Sequence, residues 1–172
     1  NITMDFLNIS KIESSKIINL APVPFERVKD EVEKILNGKV KKSGAEIEYK
    51  LELRDENNYM NIDFEKTVTV LKNLIENGII YNNKTPHIVV TIEEESDRYR
   101  ISVKDNGIGF PEQEKENIFE RFYRIDKART SNVAGTGLGL SIVKETVDIC
   151  GGKIEVTSSE NEGSEFIFTL LK

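Results

Sequence analysis

Cysteine and histidine each occur once in the 172 residues, at Cys150 and His87. A single cysteine excludes an internal disulfide and any cysteine-built zinc cage, and the apolar neighbours of Cys150 make it a buried filler rather than a reactive thiol. This usage suits a reducing compartment. No apolar run approaches the ~20 residues of a membrane-spanning helix, and no signal-peptide pattern opens the chain. The expectation is a soluble, cytoplasmic domain. An initiator methionine is also missing, which suggests a piece of a longer parent that is itself free to carry a membrane anchor. Positive charge is not in excess: the net charge is −6 with both signs interspersed, so no nucleic-acid or anionic-membrane surface is expected. No internal repeat or low-complexity tract is present, and the length fits one ordinary domain able to bury its own core.

What is present divides into alternating and helical patterns. Residues 1–18 carry Phe6, Ile9, Ile12 and Ile17 among helix-compatible neighbours with nothing obvious to pack against, and read as a helix stub. Pro22 and Pro24 prevent its continuation, so residues 20–25 are a linker or edge strand. Phe25, Val28, Val32, Ile35 and Leu36 form a helical stripe with an expected stop at Asn37-Gly38. Ile47, Tyr49, Leu51 and Leu53 alternate with polar residues as a half-buried strand. Asp63 is an N-cap candidate for a helix over 64–81, whose core stripe is Phe64, Val68, Leu71, Ile75 and Ile79. On another face of it stand Asn73, Asn77 and Tyr81. Asparagine is a poor helix former, by up to ~0.7 kcal/mol against alanine, so two on one face point to function more than to a solvated surface.

Strands over 88–93 and 99–104 form a hairpin, and the second delivers Asp105-Asn106-Gly107-Ile108-Gly109. A carboxylate at a strand end is rigidly mounted, and the glycines after it allow a sharp turn and the close approach of a flat ligand such as a nucleotide base. Residues 111–134 then lose periodicity around the small cluster Ile118, Phe119, Phe122 and Tyr123. So long a connection reads as a functional lid, with Arg124 and, more weakly, Arg129 as its phosphate-facing cations, and with Arg121 and Lys127 solvated. Gly135-Thr136-Gly137-Leu138-Gly139-Leu140 opens a helix through Ile149. Backbone N–H groups and the helix dipole at such a start favour phosphate. Gly151-Gly152 ends that helix, and strands over 153–157 and 165–171 close the chain across Asn161-Glu162-Gly163.

The glycine run fits neither common phosphate loop. A Walker loop needs a lysine where Leu140 stands, and a dinucleotide fingerprint needs a strand directly before a differently spaced run. The His-Arg-Asp and Asp-Phe-Gly motifs of eukaryotic-type protein kinases are absent. Taken together and in order, however, the asparagine helix, Asp105-x-Gly107-x-Gly109, the 118–124 aromatic cluster and Gly135-x-Gly137-x-Gly139 resemble the N, G1, F and G2 boxes of the ATP-binding catalytic domain of bacterial sensor histidine kinases. These belong to the GHKL superfamily, with its Bergerat fold. The resemblance runs over 20–172, and even residues 7–13 look like the end of the family's dimerisation and phosphoacceptor helix, which places the domain boundary after residue 19.

The resemblance implies an α+β fold, a two-layer sandwich whose mixed, mostly antiparallel sheet is covered by helices on one face, with a flexible ATP lid. It implies Asp105 accepting from the adenine 6-amino group, Tyr81 against the base, Asn77 as a neutral Mg²⁺ ligand with Asn73 supporting it, and Gly107 and Gly109 shaping the base pocket. Gly135, Thr136, Gly137, Leu138, Gly139 and Leu140 would bring backbone donors to the phosphates, and Arg124 would stabilise charge on the γ-phosphoryl group. The implied activity is protein-histidine kinase: Mg-ATP supplies its γ-phosphoryl group to a histidine on a helical domain, and a response regulator then receives it. The implied parent is a homodimer, with the bacterial inner membrane as its candidate anchorage. Two departures stand out. Ile80 occupies the position of the family's usual lysine, for which Lys84 is the candidate replacement, and Gly78 replaces the usual alanine. His87 opens a strand outside any phosphoacceptor setting, so the acceptor is absent from this chain. An ATP-hydrolysing relative is the alternative enzyme, but its general-base glutamate would stand where Asn73 does. A related serine kinase that inhibits sigma factors and a degenerate regulator-binding module complete the alternatives.

Overall fold

The computed structural model describes residue 3, residues 16–125 and residues 136–172. The helix-stub residues Phe6, Ile9 and Ile12, and the lid residues Lys127 and Arg129, lie outside the described residues, as does Gly135. Strand β1 (Ala21–Pro24) leads directly into helix α1 (Phe25–Ser43), followed by β2 (Glu46–Glu52), β3 (Tyr59–Ile62) and helix α2 (Phe64–Ile80). After these come β4 (His87–Glu94), β5 (Arg98–Asp105), two 3₁₀ turns (Glu112–Glu114 and Asn117–Phe119), helix α3 (Gly139–Ile149), β6 (Ile154–Ser159) and β7 (Gly163–Leu171).

Five strands form one sheet in the order β2-β4-β5-β7-β6, in which only the β2–β4 pair is parallel. Alternation along the strands fixes the register. Ile92 pairs with Ile101 and Ile101 with Phe168, which puts three fully buried side chains in one row under the helices. A slip of one residue would turn that row to solvent. The other face carries Thr91, Arg100, Lys104 and Glu165 in the same strands, polar as the alternation requires. The helices thus cover one face of a mixed, mostly antiparallel sheet, as expected. β1 pairs antiparallel with the short β3. Proline 22 and proline 24 are tolerated because this is a two-stranded edge, where their missing donors disrupt no central ladder.

Helix α2 packs against both α1 and α3 and rests on β4 and β5. Asp63 caps it: Oδ1 accepts from the Lys66 N–H at 3.1 Å, while Oδ2 accepts from the Asn19 N–H at 2.9 Å and so ties the preceding segment to the helix start. Val70 and Leu74 are buried beside the expected stripe of Val68, Leu71, Ile75 and Ile79, so α2 is a central helix rather than a surface one.

Helix α1 corrects the expected stop. It passes through Asn37-Gly38 and ends only at Ser43, with Gly44 in the left-handed conformation at φ 67°. A mid-helix glycine costs about 1 kcal/mol. Val40, packed on the core, and Lys41 and Lys42 at the negative end of the helix dipole offset that cost. The continuation carries Lys39 onto a helix that faces α2.

On β2, the Tyr49 ring meets Phe25 edge-on with centroids 5.6 Å apart, and its buried hydroxyl has no hydrogen-bond partner among the described residues. Burial pushes the phenol well above its ordinary value of 10. Tyr49→Phe keeps the ring contact and removes the unpaired hydroxyl, so the expected result is a chain more stable by about 1 kcal/mol, read as a higher urea midpoint at unchanged slope.

Candidate functional site

Asp105 is the last residue of β5, and its surroundings hold one half of the carboxylate still. Oδ1 accepts from the Gly107 N–H at 2.8 Å and from the Ser164 N–H, on β7, at 3.3 Å. Oδ2 makes no hydrogen bond among the described residues. The group lies on the wall of a cleft of ≈ 1070 Å³ between α2, the loop after β5, the lid and the start of α3. Burial raises its pKa above the ordinary 3.8, against the opposing pull of the two N–H groups.

The loop after Asp105 is fastened on three sides. Ile108 N–H donates to the Tyr81 carbonyl at 3.0 Å, Asn161 N–H to the Ile108 carbonyl at 2.7 Å, and Phe110 N–H to Ser158 Oγ at 2.9 Å. Gly107 has no room for a side chain, since a Cβ there would lie 2.4 Å from the Tyr81 carbonyl oxygen, and Gly109 sits at φ 59° with its Cβ position 2.0 Å from the Ser159 oxygen. Asn106 gathers the neighbouring loop: its Oδ1 accepts from Asn82 Nδ2 and the His87 N–H, each at 2.8 Å, and its Nδ2 donates to the Thr85 carbonyl. Gly78 is also a close-approach position, because a Cβ there would stand 2.9 Å from Asp105 Cβ.

Helix α2 supplies the opposite wall. Asn73, Glu76, Asn77 and Ile80 line the cleft, with Tyr81 just past the helix end. Asn73 is buried; its Nδ2 donates to the Thr69 carbonyl at 2.8 Å, which fixes the amide and leaves Oδ1 facing the start of α3, 3.3 Å from where a Gly139 Cβ would be. The half-buried Asn77 side chain makes no hydrogen bond among the described residues. Thr136, Gly137, Gly139 and Leu140 line the cleft from α3 and the turn before it, whereas the Leu138 side chain is fully buried against Ile142. Gly137, at φ 71°, carries a second duty. Its carbonyl accepts from the Phe122 N–H at 2.8 Å, and a Cβ on it would press within 2.9 Å of the Phe122 backbone, so the glycine run and the aromatic cluster are pinned together.

The cations fall differently from the sequence reading. Arg124 does line the cleft. Lys84 does not: α2 ends at Ile80, so Lys84 lies in an exposed loop, where its N–H donates to Asn82 Oδ1 at 2.9 Å. Arg121 is exposed, as expected, and in that position pairs with Glu145 of α3 at 3.2 Å. Lys39 of α1 and Lys72 of α2 line the cleft instead, both on the Glu76 carboxylate. Burial alone would raise the Glu76 pKa, but the hydrogen bonds from Lys39 and Lys72 outweigh it and hold it below 4.5. Ser164 and Lys39 are the site residues the motifs missed. Ser164 had no local signal, and Lys39 was hidden by the misplaced helix stop.

A rigid carboxylate acceptor at one end of a cleft, two inward amides along its wall and a glycine-opened helix start at the other end suit a ligand with a base and a phosphate tail. The family described as "Histidine kinase-, DNA gyrase B-, and HSP90-like ATPase" matches residues 62–172. The chain belongs to that family. Among curated relatives, sensor histidine kinase WalK of Bacillus subtilis (strain 168) is 44% identical over 126 residues, which cover 72% of this chain and 21% of the relative. The chain thus spans about a fifth of that protein. Full-length ShkA, solved in complex with AMPPNP, superposes with a TM-score of 0.81 at 25% identity, over 98% of this chain and 35% of ShkA. Histidine kinase ThkA, solved in complex with response regulator protein TrrA, gives a TM-score of 0.72 at 28% identity over 99% of this chain and 46% of ThkA. The likenesses place this family member among histidine-kinase ATP-binding domains. No helix among the described residues is long and apolar enough to cross a membrane.

The two perturbed carboxylates that line the cleft titrate in opposite senses. Asp105 has its folded-state pKa raised, so its contribution to stability is complete below 3.8 and is lost as pH rises through the raised value. Glu76 has its pKa lowered, so its contribution is present above 4.5 and is lost as pH falls through the lowered value. A ligand amino group bound to Asp105 needs the carboxylate ionised. Nucleotide affinity is therefore expected to rise with pH through the raised Asp105 value, with proton release on binding below it. Calorimetry in buffers of different ionisation enthalpy reads that proton, and Asp105→Asn is expected to abolish the dependence.

Proposed function

We propose that this family member binds Mg-ATP in the cleft and provides the γ-phosphoryl group for autophosphorylation of a histidine on a helical domain of its parent, a homodimeric two-component sensor kinase. The observation that carries this reading is the half-held Asp105: one oxygen fixed by two backbone donors, the other left for a ligand donor. An ionised carboxylate accepts from the 6-amino group of adenine and repels the 6-carbonyl oxygen of guanine. Tyr81 lies against the base, and Gly107 and Gly109 let it approach the backbone. Gly139 opens α3 with N–H groups toward the phosphates, joined by Thr136 and Gly137, with Gly135 and Leu138 in the same run and Leu140 on the first turn. Arg124 meets the charge that develops on the transferred group.

The donor set fits a nucleotide-borne Mg²⁺. Asn77 offers an unengaged neutral oxygen with Asn73 beside it, and a hard cation carried by phosphates needs only one or two protein oxygens. Asn77 would hold the ion, which neutralises phosphate charge when bound. Asn73 is an amide and cannot take a proton from water, which favours transfer to a protein acceptor over hydrolysis. The complex of ThkA with a response regulator supports a regulator as the onward partner. The direct test titrates the chain with a non-hydrolysable ATP analogue and its guanine counterpart in Mg²⁺. It then adds ATP labelled at the γ position and a separately made histidine-bearing helical domain. Saturable adenine-selective binding followed by label on histidine is expected. Absence of binding at millimolar nucleotide would sink the reading.

A further inference from the structure

Residues 62–172 carry the family match, yet Ile35, Leu36 and Lys39 of α1 line the cleft from outside that span, and Lys39 alone of the three is charged. Lys39, in the last turns of α1, places its ammonium on Glu76 Oε1, and Lys72 reaches Oε2 of the same carboxylate at 2.8 Å. One carboxylate thus holds two ammonium groups. The cluster carries one positive charge more than it neutralises, and it lies on the wall shared with Asn73 and Asn77.

Position along α2 says what that charge faces. The base end of the cleft is marked by Asp105, against which Gly78 packs, and by Tyr81 just beyond the helix. The opposite end is marked by Asn73, whose Oδ1 meets Gly139 at the start of α3. Lys72 and Glu76 flank Asn73 and Asn77, on the phosphate side of Gly78. The two lysines differ in freedom. Lys72 is held one turn from Glu76 on the same helix with its side chain 26% exposed, whereas Lys39 comes from another helix and is 51% exposed. A flexible ammonium on a four-carbon stem exchanges partners readily.

We propose that Lys39, kept at the cleft by Glu76, is a phosphate-binding residue that passes to the terminal phosphates of a bound nucleoside triphosphate while Lys72 remains on Glu76. This rests on reading the cleft as an adenine-nucleotide site. It makes α1 part of that site: the triphosphate, and not the base, draws on a side chain from the preceding helix. Two ammonium groups on one carboxylate make the transfer feasible, because Glu76 keeps a partner after Lys39 leaves.

The test titrates the chain and its Lys39→Met and Lys39→Arg variants with a non-hydrolysable ATP analogue and with AMP, both in Mg²⁺. Lys39→Met is expected to weaken the triphosphate about tenfold, the worth of one charge-assisted hydrogen bond, and to leave AMP unchanged. Lys39→Arg is expected to recover most of the loss. Equal triphosphate affinity in Lys39→Met and the parent sequence overturns the inference while the nucleotide site stands. An equal loss for AMP also overturns it, because the pair with Glu76 would then only hold α1 on α2. If the parent sequence binds no adenine nucleotide, the proposed function fails and this inference fails with it.

Discussion

The Asp105→Ala chain is expected to bind an ATP analogue at least about 100-fold more weakly than the parent sequence, close to loss of measurable heat. The size follows from geometry. Asp105 is mounted on the end of β5 and positioned by the Gly107 and Ser164 N–H groups, so its free oxygen needs no reorganisation to meet a donor. Alanine removes an ionised acceptor from a half-buried wall, and the adenine amino group is left facing it unpaired. The same change relieves a buried carboxylate and orphans two backbone donors, effects of opposite sign, so stability should move far less than affinity. Asp105→Asn separates the two. Its amide oxygen can still accept from Gly107 and Ser164, while its NH₂ donates where the carboxylate accepted. Adenine affinity is then expected to fall with the fold intact, and discrimination against guanine to shrink. If Asp105→Ala binds the adenine analogue as the parent sequence does, the base lies elsewhere and the orientation assigned to the whole cleft is wrong.

How much of this could be read from the chain follows from how local each signal is. Period-two alternation located β4, β5, β6 and β7, because each strand has one buried and one wet face and the pattern is complete within a few residues. The α2 stripe, its Asp63 cap and the two asparagines were legible for the same reason. Failures occurred where two local signals competed or where the cause lay far along the chain. Gly38 and Gly44 are both helix stops by type, and only packing of Val40 on the core decides between them. Choosing Gly38 removed Lys39 from any helix and hid its approach to Glu76, 37 positions later. Lys84 was a candidate only through its nearness to Ile80 in sequence, and the loop that follows α2 turns it to solvent. β3, at four residues, is too short for alternation to declare itself. Ser164 reaches Asp105 across 59 positions, through strand pairing that no window contains. Gly78 stood out in the sequence only as a departure, and its Cβ position, 2.9 Å from Asp105 Cβ, explains it as clearance for that residue.

That pairing carries the second large effect. Gly163→Ala is expected to cost about 4 kcal/mol, enough to unfold a marginal domain, and to weaken nucleotide binding in whatever fraction remains folded. Gly163 begins β7 at φ 98°, where a side chain is strained, and its Cβ position lies 2.0 Å from the Asp105 carbonyl oxygen and 3.1 Å from Asn106 Cα. Both obstacles are backbone, so no rotamer change relieves them. The strand start must move, and with it Ser164 N–H, one of the two donors that hold Asp105 Oδ1. Ser158 Oγ, which lies 3.1 Å from the Gly163 carbonyl and accepts from Phe110 N–H, would lose its place as well. Gly151 is the control. It too has a positive φ, 69°, but its Cβ position meets Leu171 Cδ1 at 2.7 Å, the flexible end of an exposed side chain. Gly151→Ala should therefore cost only the left-handed backbone strain, about 1–2 kcal/mol. Urea unfolding of both variants discriminates: equal midpoints would mean that the β6–β7 turn is not what braces Asp105. A midpoint lowered far more by Gly163→Ala would mean that the start of β7 braces the strand end that carries Asp105.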